Sequence, residues 1–172
     1  MEQEQTNGGE NVIICPYNPN DAERLCAMLV NSIDYAPEDN SNVETHMNSA
    51  DLLDEYVSEL KNGIHYVLKK EGDDDIRGLL SAEKRTINND NSCWYITALH
   101  IATDNDMDDN AVEMVGLFAD SIQNADALCI NTYIGDKRIN DFWRSKGFLP
   151  DPDRTIYSNA DGETLTAYRK PR

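Results

Sequence analysis

Cys93-Trp-Tyr-Ile-Thr-Ala-Leu-His-Ile101 reads as a β-strand, Asp104-Asn-Asp-Met-Asp-Asp109 as an acidic loop, and Asn110 to Asn124 as a helix. The helix carries Ala111, Met114, Val115, Phe118, Ala119 and Ile122 on one stripe, so that face packs on a sheet. A strand feeding directly into a helix is a common anion-binding junction, because the first backbone N–H groups are unpaired and the helix dipole is positive there. Here the chain surrounds that junction with carboxylates.

Outward from this stretch, the elements follow one another with short connections. Val12-Ile-Ile-Cys15 is a first strand, stopped by Pro16 and Pro19. Asn20 or Asp21 caps a helix whose Ala22, Leu25, Cys26, Leu29 and Ile33 recur at helical spacing. Residues 34 to 48 read as a long loop of the kind that contacts substrate. Ser49 or Asp51 opens a second helix bearing Leu52, Leu53, Tyr56, Val57 and Leu60, ended by Asn62-Gly63. Ile64–Leu68 and Ile76–Ala82 form a hairpin with the acidic tip Glu71-Gly-Asp-Asp-Asp75. A polar turn over Thr86–Asn91 then leads into the Cys93 strand.

Ala127-Leu-Cys-Ile-Asn-Thr-Tyr-Ile134 is a further strand. A helix separates it from the Cys93 strand, so the two are expected to be parallel neighbours. A helix over Lys137–Lys146 stops at Gly147, and short strands are expected near Thr155–Tyr157 and Leu165–Arg169. The fold class is therefore α/β (α+β). We expect a central mixed, mostly antiparallel sheet of six to seven strands flanked by about four helices. Residues 1–10 are a polar, disordered tail, and residues 11–172 one domain.

Composition narrows the partners. The chain has 172 residues, with 32 acids against 15 bases, a formal charge of −17. A surface this acidic argues against nucleic acid and anionic membrane, both of which are held by Lys and Arg. Basic peptides, small amines or metal cations are the natural partners. Cys15, Cys26, Cys93 and Cys129 form no CxxC pair and read as small buried hydrophobes, which points to a reducing, cytoplasmic setting. No signal-peptide pattern or apolar run of membrane length is present.

The segment Asp136-Lys-Arg-Ile-Asn-Asp-Phe-Trp-Arg-Ser-Lys-Gly-Phe148, in this order of elements, resembles the GNAT acyltransferase family over about residues 12 to 170. The resemblance implies a single GNAT-like domain that transfers an acetyl group from acetyl-CoA to an amine. It implies that the backbone of the splayed strand, at Leu99, Ile101 and Thr103, holds the pantetheine arm. It also implies that a glycine-rich loop, aligned here with Asp106–Ala111, holds the pyrophosphate through Asn110 and Ala111. Candidate bases for an incoming ammonium are Glu83 and His100, with Tyr95 behind them.

Four residues depart from the family pattern, one of them Asp136, which stands where the family usually has Asn. Asp106 stands at its Arg or Gln, Asp109 at its first Gly, and Trp143 at the tyrosine that protonates the leaving thiolate; an indole has no proton to give at useful pKa. No Lys or Arg lies between Thr86 and Asp136. Each carboxylate near a pyrophosphate charge costs on the order of 1 kcal/mol at high effective dielectric, and more where water is excluded. Acetyl-CoA is thus expected from the frame and opposed by the loop.

Two other readings remain open. One is a GNAT-fold binding or regulatory protein that has lost acetyl-CoA binding. The other is a weak cation site at Asp104, Asp106 and Asp108, although the glycine and bidentate Glu of an EF-hand loop are missing. No zinc spacing appears elsewhere in the chain. The oligomeric state is not encoded in any legible pattern.

Overall fold

A computed structural model describes residues 11–36, 63–87, 91–122, 127–133, 136–157 and 164–171. The elements are β1 (Val12–Pro16), a 3-10 turn (Pro19–Asp21), α1 (Ala22–Val30), β2 (Ser32–Asp34), β3 (Gly63–Lys70), β4 (Ile76–Ile87) and β5 (Asn91–Ala102). They continue with α2 (Met107–Ser121), β6 (Ala127–Tyr133), α3 (Lys137–Ser145), β7 (Leu149–Tyr157) and β8 (Thr164–Pro171). The sheet runs β1-β3-β4-β5-β6-β8-β7, with β2 paired to β5 off that path. Every pairing is antiparallel except β5 with β6. This is the mixed, mostly antiparallel α+β sheet expected from the sequence, with β2 added to it. The helix expected over Ser49–Leu60 and the turn at 88–90 lie outside the described residues.

Helices cover both faces of the sheet. On one face, α1 seats Ala22, Leu25, Met28 and Leu29 against Val67, Ile76 and Leu79. On the other, α2 brings Ala111, Met114, Val115 and Phe118 onto Leu68, Leu80, Ala82 and Ile96, and α3 adds Ile139 and Trp143. The period-2 alternation Val67/Leu68 and Leu79/Leu80 is what lets one strand serve both layers. Among the described residues, no helix is long and apolar enough to cross a membrane.

Several expectations need correction. Ile33 is not on α1, which ends at Val30; the chain turns at Asn31, and Ile33 lies in β2 opposite Ile101. The Leu25, Leu29, Ile33 spacing mimics a helical stripe but continues it one turn too far. Asp21 occupies the cap position of α1 without a side-chain capping bond. Its carboxylate instead binds Lys69 at 3.0 Å and Arg24 at 3.2 Å. Helix α2 starts at Met107, inside the acidic loop, and the terminal strands β7 and β8 are longer than expected. Cys93 and Cys129 are buried as expected, but they are joined as a disulfide across β5 and β6. The inference to a reducing compartment therefore loses its premise for two of the four cysteines.

The end of α3 explains the Phe142-Trp143-x-x-x-Gly147-Phe148 motif. Gly147 sits at φ +88, a left-handed turn that opens to glycine cheaply. Gly147 N–H donates to Arg144 O and Phe148 N–H to Trp143 O, both at 3.1 Å. Phe148 is thereby folded back, its ring 5.0 Å from that of Trp143. Gly147→Ala is expected to cost about 1 kcal/mol through the left-handed backbone alone, because no atom lies within 4 Å of the added Cβ. A urea unfolding midpoint shifted by that amount, with an unchanged slope, checks it.

Candidate functional site

The site begins where β5 and β6 part. Their parallel pairing extends from Cys93↔Ala127 to Ile96↔Ile130 and goes no further. Beyond it, β5 stays paired with β4 on one side, as far as Ile101↔Gly78. On its other side the partner is β2: Ser32↔Ala102, Ile33↔Ile101 and Asp34↔His100. Alternate residues of a strand aim their N–H and C=O groups at opposite edges, and here 99, 101 and 103 serve the edge facing β2. Tyr35 N–H donates to Leu99 O, and Thr103 N–H donates to Asn31 O, both at 2.8 Å. Leu99 N–H makes a longer 3.4 Å bond to the Asp34 carboxylate, whose same oxygen accepts from Ala36 N–H at 2.9 Å.

Tyr35 extends this closure into the helical layer. Its side chain is fully buried, with the ring 5.1 Å from Phe142 and 6.4 Å from Trp143. The Trp143 indole N–H donates to Tyr35 O at 2.7 Å. The phenol donates to the Asp108 carboxylate in the first turn of α2. Arg138, from α3, binds the same carboxylate oxygen at 3.0 Å and lies over the Tyr35 ring at 5.6 Å. Burial, and then the bond to Asp108, raise the Tyr35 phenol from the ordinary 10.0 to about 12, with Arg138 opposing. The phenol therefore stays a neutral donor throughout the physiological range.

The candidate residues are dispersed. His100 is 7% exposed and faces β2: Nδ1 is 3.3 Å from the Ser32 hydroxyl, and Nε2 is 3.7 Å from the Asp34 carboxylate. The Ser32 hydroxyl donates to Leu29 O at 2.8 Å, so toward the ring it can only accept, and Nδ1 carries a hydrogen. Nε2 is sealed from solvent, which leaves no ring nitrogen open to an incoming ammonium in this conformation. Glu83 is half-buried and sits opposite Tyr95, five residues and roughly 16 Å along the strand from His100. The two do not form one site. Ala111 is packed in the core on the buried face of α2, and Asn110 is buried with its amide nitrogen lacking a hydrogen-bond partner.

The acidic loop is partly tied up. Asp104 accepts from Asp106 N–H at 2.8 Å, and Asp108 is held by Arg138 and Tyr35. Among the described residues, no three His, Cys, Asp or Glu side chains come close enough together to hold a metal ion. A cavity of about 440 Å³ does open beside the end of β5, between α1 and the start of β4, lined by Arg24, Asn31, Arg77, Thr103 and Asp104. It lies on the α1 side, away from Tyr35 and α3.

Solved structures place this arrangement. An acetyltransferase from Thermus thermophilus superposes with a TM-score of 0.65 at 17% identity, covering 94% of this chain and 97% of that one. The chain has the GNAT fold. Arabidopsis thaliana NAA60, in complex with a bisubstrate analogue, superposes at 0.60 with 10% identity over 94% and 98% of the two chains. An acetyltransferase from Salmonella typhimurium that modifies the N-terminal serine of ribosomal protein L7/L12 gives 0.60 with 11% identity over 94% and 95%. No protein-family model and no curated protein sequence matches the chain.

Within the GNAT fold, the test of acetyl-CoA is whether β5 has a free edge to offer. It does not in this conformation, because the edge at Leu99, Ile101 and Thr103 is bonded to residues 31–35. At its far end, the first turn of α2 presents Asp108 and Asp109 rather than open glycine backbone. Acetyl-CoA does not fit the cleft as folded.

The sequence concealed the residues that matter most here: Ser32, Asp34, Tyr35 and Arg138. A three-residue strand is too short to show alternation, and Arg138 reads as a surface residue of α3 until α2 is docked beside it. Stability that depends on protonated Tyr35 is complete below about pH 10 and lost as the pH rises through about 12. An alkaline absorbance titration should show a phenol ionising near pH 12, and Tyr35→Phe should remove that step.

Proposed function

We propose that this chain is an N-acyltransferase of the GNAT type that moves an acetyl group from acetyl-CoA to an amine once residues 31–36 have left the cleft. The observation that carries this reading is the parallel β5–β6 pair parting after Ile96 and Ile130, with α2 following directly from β5. It is supported by the extent of the likeness to structures named acetyltransferases, over nearly the whole of both chains. The charge of −17 favours a cationic acceptor, a small amine or a basic peptide. Glu83 remains the candidate base, since the free ring nitrogen of His100 is enclosed.

One observation favours a second reading, a GNAT-fold binding or regulatory protein without acyl transfer: β2 takes the edge of β5 that acetyl-CoA would need. Calorimetric titration with acetyl-CoA, followed by mass spectrometry of polyamine and lysine-peptide mixtures, separates the two. Acetylated product is the expected result. Binding weaker than about 1 mM, which is only about 4 kcal/mol, together with no product from any cleft variant, would leave the second reading standing.

A further inference from the structure

We propose that Asn31–Ala36 is a built-in closure of the acyl-cofactor cleft, with the Tyr35–Asp108–Arg138 cluster as its catch. This rests on the acetyltransferase reading of the cleft and adds its regulation. Three independent contacts hold the segment in place. Its backbone serves as the missing strand beside β5, through the Leu99 and Thr103 bonds. The Tyr35 carbonyl is held by the Trp143 indole, and the Tyr35 phenol by Asp108. The catch therefore joins α2, α3 and the segment, and it closes over the point where the strands part.

The holding contacts are unequal in kind. The backbone pairing spans only β2 and its two flanking residues, and Ile33 is only partly buried. The catch is electrostatic, and Asp108 and Arg138 are each about half exposed, at 53% and 49% of their side-chain surface. The Asp108–Arg138 pair is reachable by solvent, by ions and by a cationic acceptor competing for Asp108, whereas Tyr35 and Ala36 of the segment, like Trp143 beneath them, are fully buried members of the core cluster. Release of the segment therefore withdraws Tyr35 and Ala36 from that cluster, while α2 and α3 keep their own apolar contacts with the sheet.

A closed state of this kind lowers apparent affinity by the fraction of molecules that are open. The test uses the full chain, its Tyr35→Phe and Asp108→Ala variants, and Asp109→Ala as a control. The control removes the same charge from the same turn of α2 without touching the catch. Hydrogen exchange should show the Tyr35 and Thr103 amides protected in the parent and exchanging about tenfold faster or more in Tyr35→Phe and Asp108→Ala. The core amides of Phe118 and Ile130 should be unchanged. Acetyl-CoA should bind those two variants about tenfold more tightly than it binds the Asp109→Ala control.

Equal gains in Asp108→Ala and Asp109→Ala would reduce the effect to charge and overturn the catch, as would unchanged exchange. Micromolar binding by the parent, with the Tyr35 and Thr103 amides still protected, would overturn the closure while leaving the acetyltransferase reading intact. Faster exchange in the variants with no acetyl-CoA binding by any of them would overturn both.

Discussion

A β-strand edge inside a protein has to be bonded to something, because an unpaired buried N–H or C=O costs as much as a lost hydrogen bond. β5 is the strand on which this requirement falls. Its parallel partner β6 leaves after Ile96↔Ile130, while β5 continues for six more residues to Ala102. The described structure meets the requirement from within the chain, by turning α1 off at Asn31 and sending Ser32–Asp34 along the open edge. The early end of α1, the position of Tyr35 between two helices, and the enclosure of His100 all follow from that one substitution of partners.

The electrostatics of the acidic loop change once Arg138 is placed. In the sequence, the stretch from Thr86 to Asp136 has no cation, and Asp108 looks like one more uncompensated charge. In the fold, Asp108 receives a guanidinium from α3 and a phenol proton from Tyr35, and becomes the meeting point of three elements. Asp109, one residue on, remains exposed in the favourable field of the helix start. Neighbouring carboxylates on one helical turn thus have different work, one structural and one merely solvated.

How much of this was legible depended on the length of each element. The β3–β4–β5 meander and the α2 stripe were plain, since eight to fifteen residues give a period time to show itself. The Phe142, Trp143, Gly147, Phe148 pattern was legible because a positive-φ glycine and a returning aromatic are both local facts. β2 was not, because three residues carry no period, and Ile33 extended the helical spacing of Leu25 and Leu29. The Cys93–Cys129 bond and the Arg138–Asp108 pair were hidden for a different reason. They join residues 36 and 30 positions apart, and only the docking of β6 and α3 brings them together.

The disulfide has a mechanical meaning of its own. It ties β5 to β6 at Cys93 and Cys129, within the stretch where they are already paired, and leaves them untied where they diverge. The two strands behave like the arms of a clothes-peg with its spring at one end. Spreading them at the Cys93 end requires breaking a covalent bond, so any widening is confined to the Leu99–Thr103 end. At that end the edge of β5 is bonded instead to residues 31–35, a piece of the same chain.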